Sequence, residues 1–441
     1  MKTLTTIAFF ITITIVLTCL VRPTLSELSR LSEQCMVYIK PYRTETKIIK
    51  CPMVTTDESS LEKRQNSEDM FTVNFKCSIS DNNLCNKVKN VFNSAGKYIT
   101  ATLNLKTPIK VNAQFLDFCK QEGECDTQSI ILGAARPSRM IPHQDSDGKL
   151  RLYPQALYKQ LNFPGNHPQM GADDITAMFN SNMNYWFEGD PTPMSERQVD
   201  MLYVVIHELT HGLGFTNSWN DYMNLQALTP AVVSGASTPF VEFIFDKSLI
   251  LLPSGTPLSS ITDQLNQFQV SPSATDQEFI TSFSKSPQFP IAQSIYKNGT
   301  THGAIGFLLN SNIQSNTQLS QDQIQNDVVI LETTLVPFEP SSSIGHVDFQ
   351  TYVKSGDFLM MFTYPPGQTL DQMMSRAGST TTTGPMGPKL RQLLGILGYD
   401  VKTSYTPPTL DLSSNSSGSS SIIINFNLVL SFVCILLLTF Y

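Results

Sequence analysis

The chain has 441 residues and a formal net charge of −7, and only 15% of its residues are charged, against ~25% in typical soluble proteins. The acidic balance and the absence of any Lys/Arg cluster argue against a nucleic-acid partner. The length exceeds one ordinary domain, so more than one subdomain is expected.

Residues 1–26 begin with Lys2, run through an apolar stretch from Ile7 to Val21 and close on Thr24-Leu25-Ser26. A short charged start, an apolar middle and a small-residue cleavage site predict a secretory signal peptide. Secretion places the cysteines in an oxidising compartment. Cys19 and Cys434 fall in the terminal apolar segments, which leaves Cys35, Cys51, Cys77, Cys85, Cys119 and Cys125. An even number predicts disulfides, and proximity along the chain pairs them as Cys35–Cys51, Cys77–Cys85 and Cys119–Cys125. A rival reading makes one of them a thiolate switch that blocks a metal before processing. Residues 27–70 read as a propeptide or N-terminal extension, with Lys63-Arg64 either a dibasic processing site or part of an exposed loop.

Phe71 to Ser78 alternates apolar and polar residues and predicts a strand. Leu84 to Ala101 predicts a helix. Val111, Ala113 and Phe115 alternate within a second strand, Ile109 to Phe118, and Ile130 to Ala135 reads as a third.

Val204 to Phe215 contains His207-Glu208-Leu209-Thr210-His211-Gly212. Two His four apart lie on one helix face, one turn apart, so both imidazoles can reach one Zn²⁺. Glu208 lies beside the first ligand, where a carboxylate can take a proton from a metal-bound water. Ser195 and Gln198 form an S-x-x-Q capping box that predicts the helix start. Val199, Leu202, Ile206, Leu209 and Leu213 give a core-facing stripe, and Gly212 and Gly214 a stop. A catalytic zinc takes three protein ligands, so a third is required. The sixth residue after His211 is Asn217, a poor ligand. His143 and His167 precede the helix, and His302 sits in an exposed turn. His346, in Ser343-Ile344-Gly345-His346, and the carboxylates Asp221, Glu242 and Asp246 complete the candidates.

The order His207-Glu-Leu-Thr-His211-Gly-Leu-Gly-Phe215, then Gly345-His346, then Leu359-Met360 resembles a distant leishmanolysin-like metzincin. That branch keeps HExxHxxGF, inserts a long segment and resumes with a Gly-x-His block and a methionine turn. The resemblance implies His207, His211 and His346 as zinc ligands, Glu208 as general base and Met360 as the turn. It implies an α+β zincin with two subdomains and the metal between them, residues 71–215 and 216–402. Asp173 to Asn180, with Tyr185-Trp186-Phe187, resembles the region before the active helix in zincins, which often provides the edge strand for a peptide. Tyr364, just past the turn, is a candidate oxyanion support. The cysteine-rich C-terminal part of leishmanolysins is absent.

Residues 254–330, rich in Ser, Gln, Asn and Thr, are expected to hold surface loops and short helices. Gly384 to Gly398 predicts a closing helix with a glycine stop. Residues 403–421 read as a Ser/Pro-rich stalk. Residues 422–441 are uncharged and mostly apolar, and after a small-residue spacer they predict a GPI-attachment signal, with a plain tail anchor as the alternative. Asn298 and Asn415 are glycosylation candidates.

These readings predict a secreted, GPI-anchored zinc metalloendopeptidase on the outer face of the plasma membrane, acting on protein or peptide substrates. The alternatives are a zincin-like adhesion or binding protein without catalysis, and a zinc hydrolase of non-peptide substrates.

Overall fold

The computed structural model describes residues 33–54, 70–125, 131–233, 238–271, 273–365 and 367–410. The predicted signal peptide, the Lys63-Arg64 pair, Asn415 and the 422–441 tail lie outside the described residues. Among those described, no helix is long and apolar enough to cross a membrane.

In chain order the elements that position the site are β1 (Gln34–Tyr38), β2 (Thr46–Lys50), β3 (Phe71–Cys77), α1 (Asn82–Thr102), β4 (Ile109–Leu116), β5 (Gly133–Pro137), β6 (Met140–Gln144), β7 (Leu150–Pro154), β8 (Ile175–Asn180), α2 (Met201–Leu213), β9 (Ala231–Val232) and β10 (Phe240–Phe243). The architecture is mixed α/β.

One sheet has the order β3-β4-β8-β5. The first three strands are parallel, and β5 adds antiparallel to β8. Alternation puts Val111, Ala113 and Phe115 on the same face as Ile175, Ala177 and Phe179, all buried. Both helices pack there. Phe92 of α1 meets Phe179 edge-on at 5.3 Å. Gly212 of α2 comes so close to β8 that a Cβ would lie 2.4 Å from Ile175 Cγ2, so no larger residue lets the helix lie this deep. α1 starts two residues earlier than predicted, because the Asp81 carboxylate caps it by accepting from the Asn83 and Leu84 amides. The strand expected at 130–135 lies at Gly133–Pro137.

The second sheet has the order β9-β10-β7-β6-β1-β2 and draws on both sides of residue 215. β10 pairs parallel with β7, Phe243 opposite Leu152. Arg151 Nε meets Glu242 Oε2 at 3.0 Å with both side chains buried. The β9–β10 hairpin thus joins the N-terminal strands. β1 and β2, in the region read as a propeptide or extension, are part of this sheet too, with Met36 opposite Met140.

Three disulfides join Cys35 to Cys51, Cys77 to Cys85 and Cys119 to Cys125, the proximity pairing. The described residues of the Ser/Gln-rich stretch form regular elements. Thr256–Pro257, Leu249–Leu251, Ile305–Leu308 and Val328–Ile330 form an antiparallel sheet. Helices Leu258–Leu265, Asp276–Phe283, Phe289–Gly299 and Gln321–Asp327 surround it. Asn298 sits half-buried in the last turn of one of these. The closing helix runs from Pro388 to Leu397 and ends at Gly398, φ 119°.

Candidate metal centre

α2 begins at Met201, with Asp200 as its cap, accepting from the Leu202 and Tyr203 amides. The predicted start at Ser195 is corrected. Gln198 does bond back to the Ser195 amide at 3.0 Å, but this closes a turn. Val199 and Asp200 then pair with Tyr185 and Trp186, which holds the chain extended until Asp200. The helix is buried on all sides except at Glu208 and His211, and these face a cleft of about 470 Å³. Gly214, at φ 122°, ends it.

His346 arrives from the other side. Its segment lies between two others. Glu332 N donates to His346 O at 2.8 Å and Ile344 N to Glu332 O at 2.7 Å, while Val347 N donates to Met360 O at 2.8 Å. The turn into this segment carries Ile344 at φ 62°, a strained value for a β-branched residue.

The three histidines meet. The Nε2 of His346 lies 3.2 Å from that of His207 and 3.2 Å from that of His211. Each Nδ1 faces a backbone carbonyl: His207 to Leu359 at 2.7 Å, His211 to Phe215 at 2.7 Å and His346 to Ser342 at 3.1 Å. A carbonyl only accepts, so each Nδ1 carries the proton and each Nε2 presents a lone pair. Burial, with the neighbouring His207 a lesser cause, lowers His346 to about 3. Burial also lowers His207 to about 4 and His211 well below its ordinary value. Three neutral acceptors this close repel one another unless a cation lies between them, so the trio could hold a metal ion.

Glu208 accepts the Ala135 amide at Oε2, 3.0 Å away. Burial pushes its carboxyl up to about 8, opposed by that hydrogen bond and by the Arg136 charge. Ala135 belongs to β5, the edge strand of its sheet, whose residues Gly133 to Arg136 line the cleft. The resemblance puts the edge strand at Asp173–Asn180. That strand is β8, and β5 covers its outer side.

The other candidate ligands lie elsewhere. His143 stacks on Phe163, ring centroids 3.6 Å apart. His167 Nδ1 bonds the Pro168 carbonyl. His302 is exposed and sits 3.2 Å from Asp348. Asp221 accepts the Leu225 and Gln226 amides, and Asp246 those of Ser218 and Phe243. Glu242 pairs with Arg151. Asn217 lines the cleft and accepts the Trp219 amide at 2.8 Å. Met360 is fully buried. Tyr364 lines the cleft, and its hydroxyl donates to the Gln368 carbonyl and accepts the Asp200 amide.

Sequence reasoning did not find the carbonyls of Leu359, Phe215 and Ser342, the Ala135 amide or Arg136. The first four are backbone groups and have no side-chain signature. Arg136 stands alone in an otherwise apolar run, a weak signal.

A family model described as SPBPB7E8-like matches residues 19–239 and 234–420. Uncharacterized protein PB7E8.01 of Schizosaccharomyces pombe is 30% identical over 387 residues, covering 79% of this chain and 66% of the yeast protein. The chain thus spans a little under two thirds of that relative's length. No solved structure matches.

Proposed function

This chain belongs to the SPBPB7E8-like family, and we propose that it is a zinc-dependent metalloendopeptidase of metzincin type, resembling the leishmanolysins. The observation that carries the reading is the convergence of three Nε2 lone pairs beside a carboxylate of the same helix. The donor set fits zinc, since three neutral imidazoles with their second nitrogens on carbonyls are a catalytic zinc arrangement with one position left for water.

His207, His211 and His346 would hold the ion. When bound, zinc acidifies a water towards neutrality and polarises a carbonyl. Glu208 faces the cleft and is oriented by the Ala135 amide. It is placed to take a proton from a water and to hand it to a leaving amine. The edge strand β5 offers a peptide its backbone donors and acceptors beside that carboxylate. Backbone docking favours an extended polypeptide over a small-molecule ester. The predicted signal peptide and tail add the outer face of the plasma membrane, through a lipid anchor, as the site of action.

Elemental analysis of the purified protein and its His346→Ala and Glu208→Gln variants tests this. One zinc per chain, lost in His346→Ala but kept in Glu208→Gln, is expected. Chelator-sensitive cleavage of casein should fall at least ~10³-fold in Glu208→Gln. Full zinc retention in His346→Ala overturns the ligand set. Zinc with no cleavage of any polypeptide favours the adhesion or binding reading.

A further inference from the structure

We propose that Arg136 makes this cleft select substrates bearing a carboxylate within one or two residues of the bond that is cut. The inference rests on the peptidase reading and adds to it a substrate class.

Arg136 is the sole Lys or Arg among the described residues lining the cleft. It follows Ala135 on β5, so it lies one residue, roughly 3.3 Å along the strand, from the amide that orients Glu208. Its guanidinium is held by oxygens of three separate segments: Nε donates to Pro41 O at 3.1 Å, Nη1 to Thr216 Oγ1 at 3.4 Å and Nη2 to Ser341 Oγ at 2.7 Å. The guanidinium carbon lies 4.7 Å from the centre of the Tyr38 ring. All these partners are neutral. They fix the direction of the charge without cancelling it.

The contrast with Arg151 is informative. That buried guanidinium is paired with Asp145, Asp147 and Glu242, as a structural charge must be. Arg136 makes no ion pair among the described residues. Neither carboxylate among the described cleft residues forms an ion pair with it: Glu208, which feels its charge, is bonded to the Ala135 amide, and Glu339 is exposed. A fixed guanidinium without an ion-pair partner among the described residues, beside a backbone-docking strand, is complementary to a substrate carboxylate, which can accept from it.

The test uses binding, so it does not depend on turnover. Three fluorescent peptides, identical except for Asp, Asn or Lys at one position, are titrated into the zinc-loaded Glu208→Gln protein and followed by anisotropy. The substituted position is walked across the peptide. At one position the Asp peptide should bind about tenfold tighter than the Asn peptide, the size of one charge-assisted hydrogen bond. The ratio should fall close to one when Arg136→Gln is added and persist with Arg136→Lys. Ser341→Ala, which loosens one grip without removing the charge, should keep it. Equal affinity for the Asp and Asn peptides at every position overturns the proposal, as does no binding at all or a preference that survives Arg136→Gln. A uniform loss for every peptide in both Arg136→Gln and Ser341→Ala would show a structural clamp instead and also overturns it. If the acidic preference holds but the protein with Glu208 intact cleaves none of these peptides, the peptidase reading fails and the selectivity stands.

Discussion

His207 gives its Nδ1 proton to the carbonyl oxygen of Leu359, 2.7 Å away and 152 residues further along the chain. That bond ties α2 to the segment of Met360 and turns the Nε2 lone pair towards the cleft. The next carbonyl, of Met360, takes the amide of Val347 at 2.8 Å, beside His346. Two successive backbone carbonyls thus orient one histidine directly and brace the segment of another.

Met360 carries the second of those carbonyls, and its side chain is fully buried. Met360→Ala should cost about 2–5 kcal/mol in urea unfolding, through the cavity it leaves. As the two carbonyls relax, zinc affinity should fall about tenfold, measured by competition with a chromophoric chelator. Met360→Leu keeps the volume and should cost less than about 1.5 kcal/mol. An unchanged zinc affinity in Met360→Ala would mean that the carbonyls are held without the side chain.

Gly345 precedes the third histidine, and a Cβ there would lie 2.5 Å from the Ser341 carbonyl oxygen. That backbone cannot yield without moving Ser342, whose carbonyl holds His346 Nδ1. Gly345→Ala should therefore weaken zinc about 10- to 100-fold, with a smaller effect on the unfolding of the metal-free protein. Equal losses in both would show that the glycine serves the fold alone.

The motif residues were legible because the metal chemistry proposed for them fixes type and spacing: His207, Glu208 and His211 can be read from one turn of helix. His346 needed a resemblance, since nothing local to Gly345-His346 says that it crosses the molecule. The structure brings it there through pairing with Glu332 and Met360, contacts distant in sequence. The start of α2 was misread because Ser195 and Gln198 make the predicted bond in a turn, while pairing of Val199 and Asp200 with Tyr185 and Trp186 delays the helix. The edge strand was misassigned because the resemblance offered Asp173–Asn180 for it, whereas sheet order is set by long-range pairing that a local segment does not encode. Arg151 and Glu242 show the same limit: their pairing joins segments on either side of the expected subdomain boundary.

Cys35 and Cys51 are fully buried and close β1 onto β2 across 16 residues. Replacing both with Ala should destabilise the protein by about 3 kcal/mol, from loop-closure entropy. Removing Cys119–Cys125, which spans 6 residues, should cost less by the same reasoning. Thermal unfolding of the two double variants checks the order, and a reversed order would mean that strain or packing outweighs loop length. Because β1 pairs with β6, the first variant should also loosen amide protection in β6, read by hydrogen exchange.

Asp246 is fully buried and accepts the amides of Ser218 and Phe243. Burial nevertheless raises its carboxyl from 3.8 to about 7. Between those values the folded protein keeps a proton that the unfolded chain has released, so this group's contribution to stability falls as pH rises. It is fully present below the unfolded value and gone above the folded one. The site histidines act in the opposite sense, since His207 and His346 are depressed to about 4 and about 3 and lose stability as pH falls. A single pH profile of the metal-free protein therefore mixes the two. The Asp246→Asn variant separates them, because the histidines are common to both proteins and cancel in the difference. The unfolding free energy of the parent minus that of Asp246→Asn should decline steadily from about pH 4 to about pH 7 and then level off. A difference that rises with pH instead would mean that the two amides hold the carboxylate ionised in the folded protein and that hydrogen bonding outweighs burial.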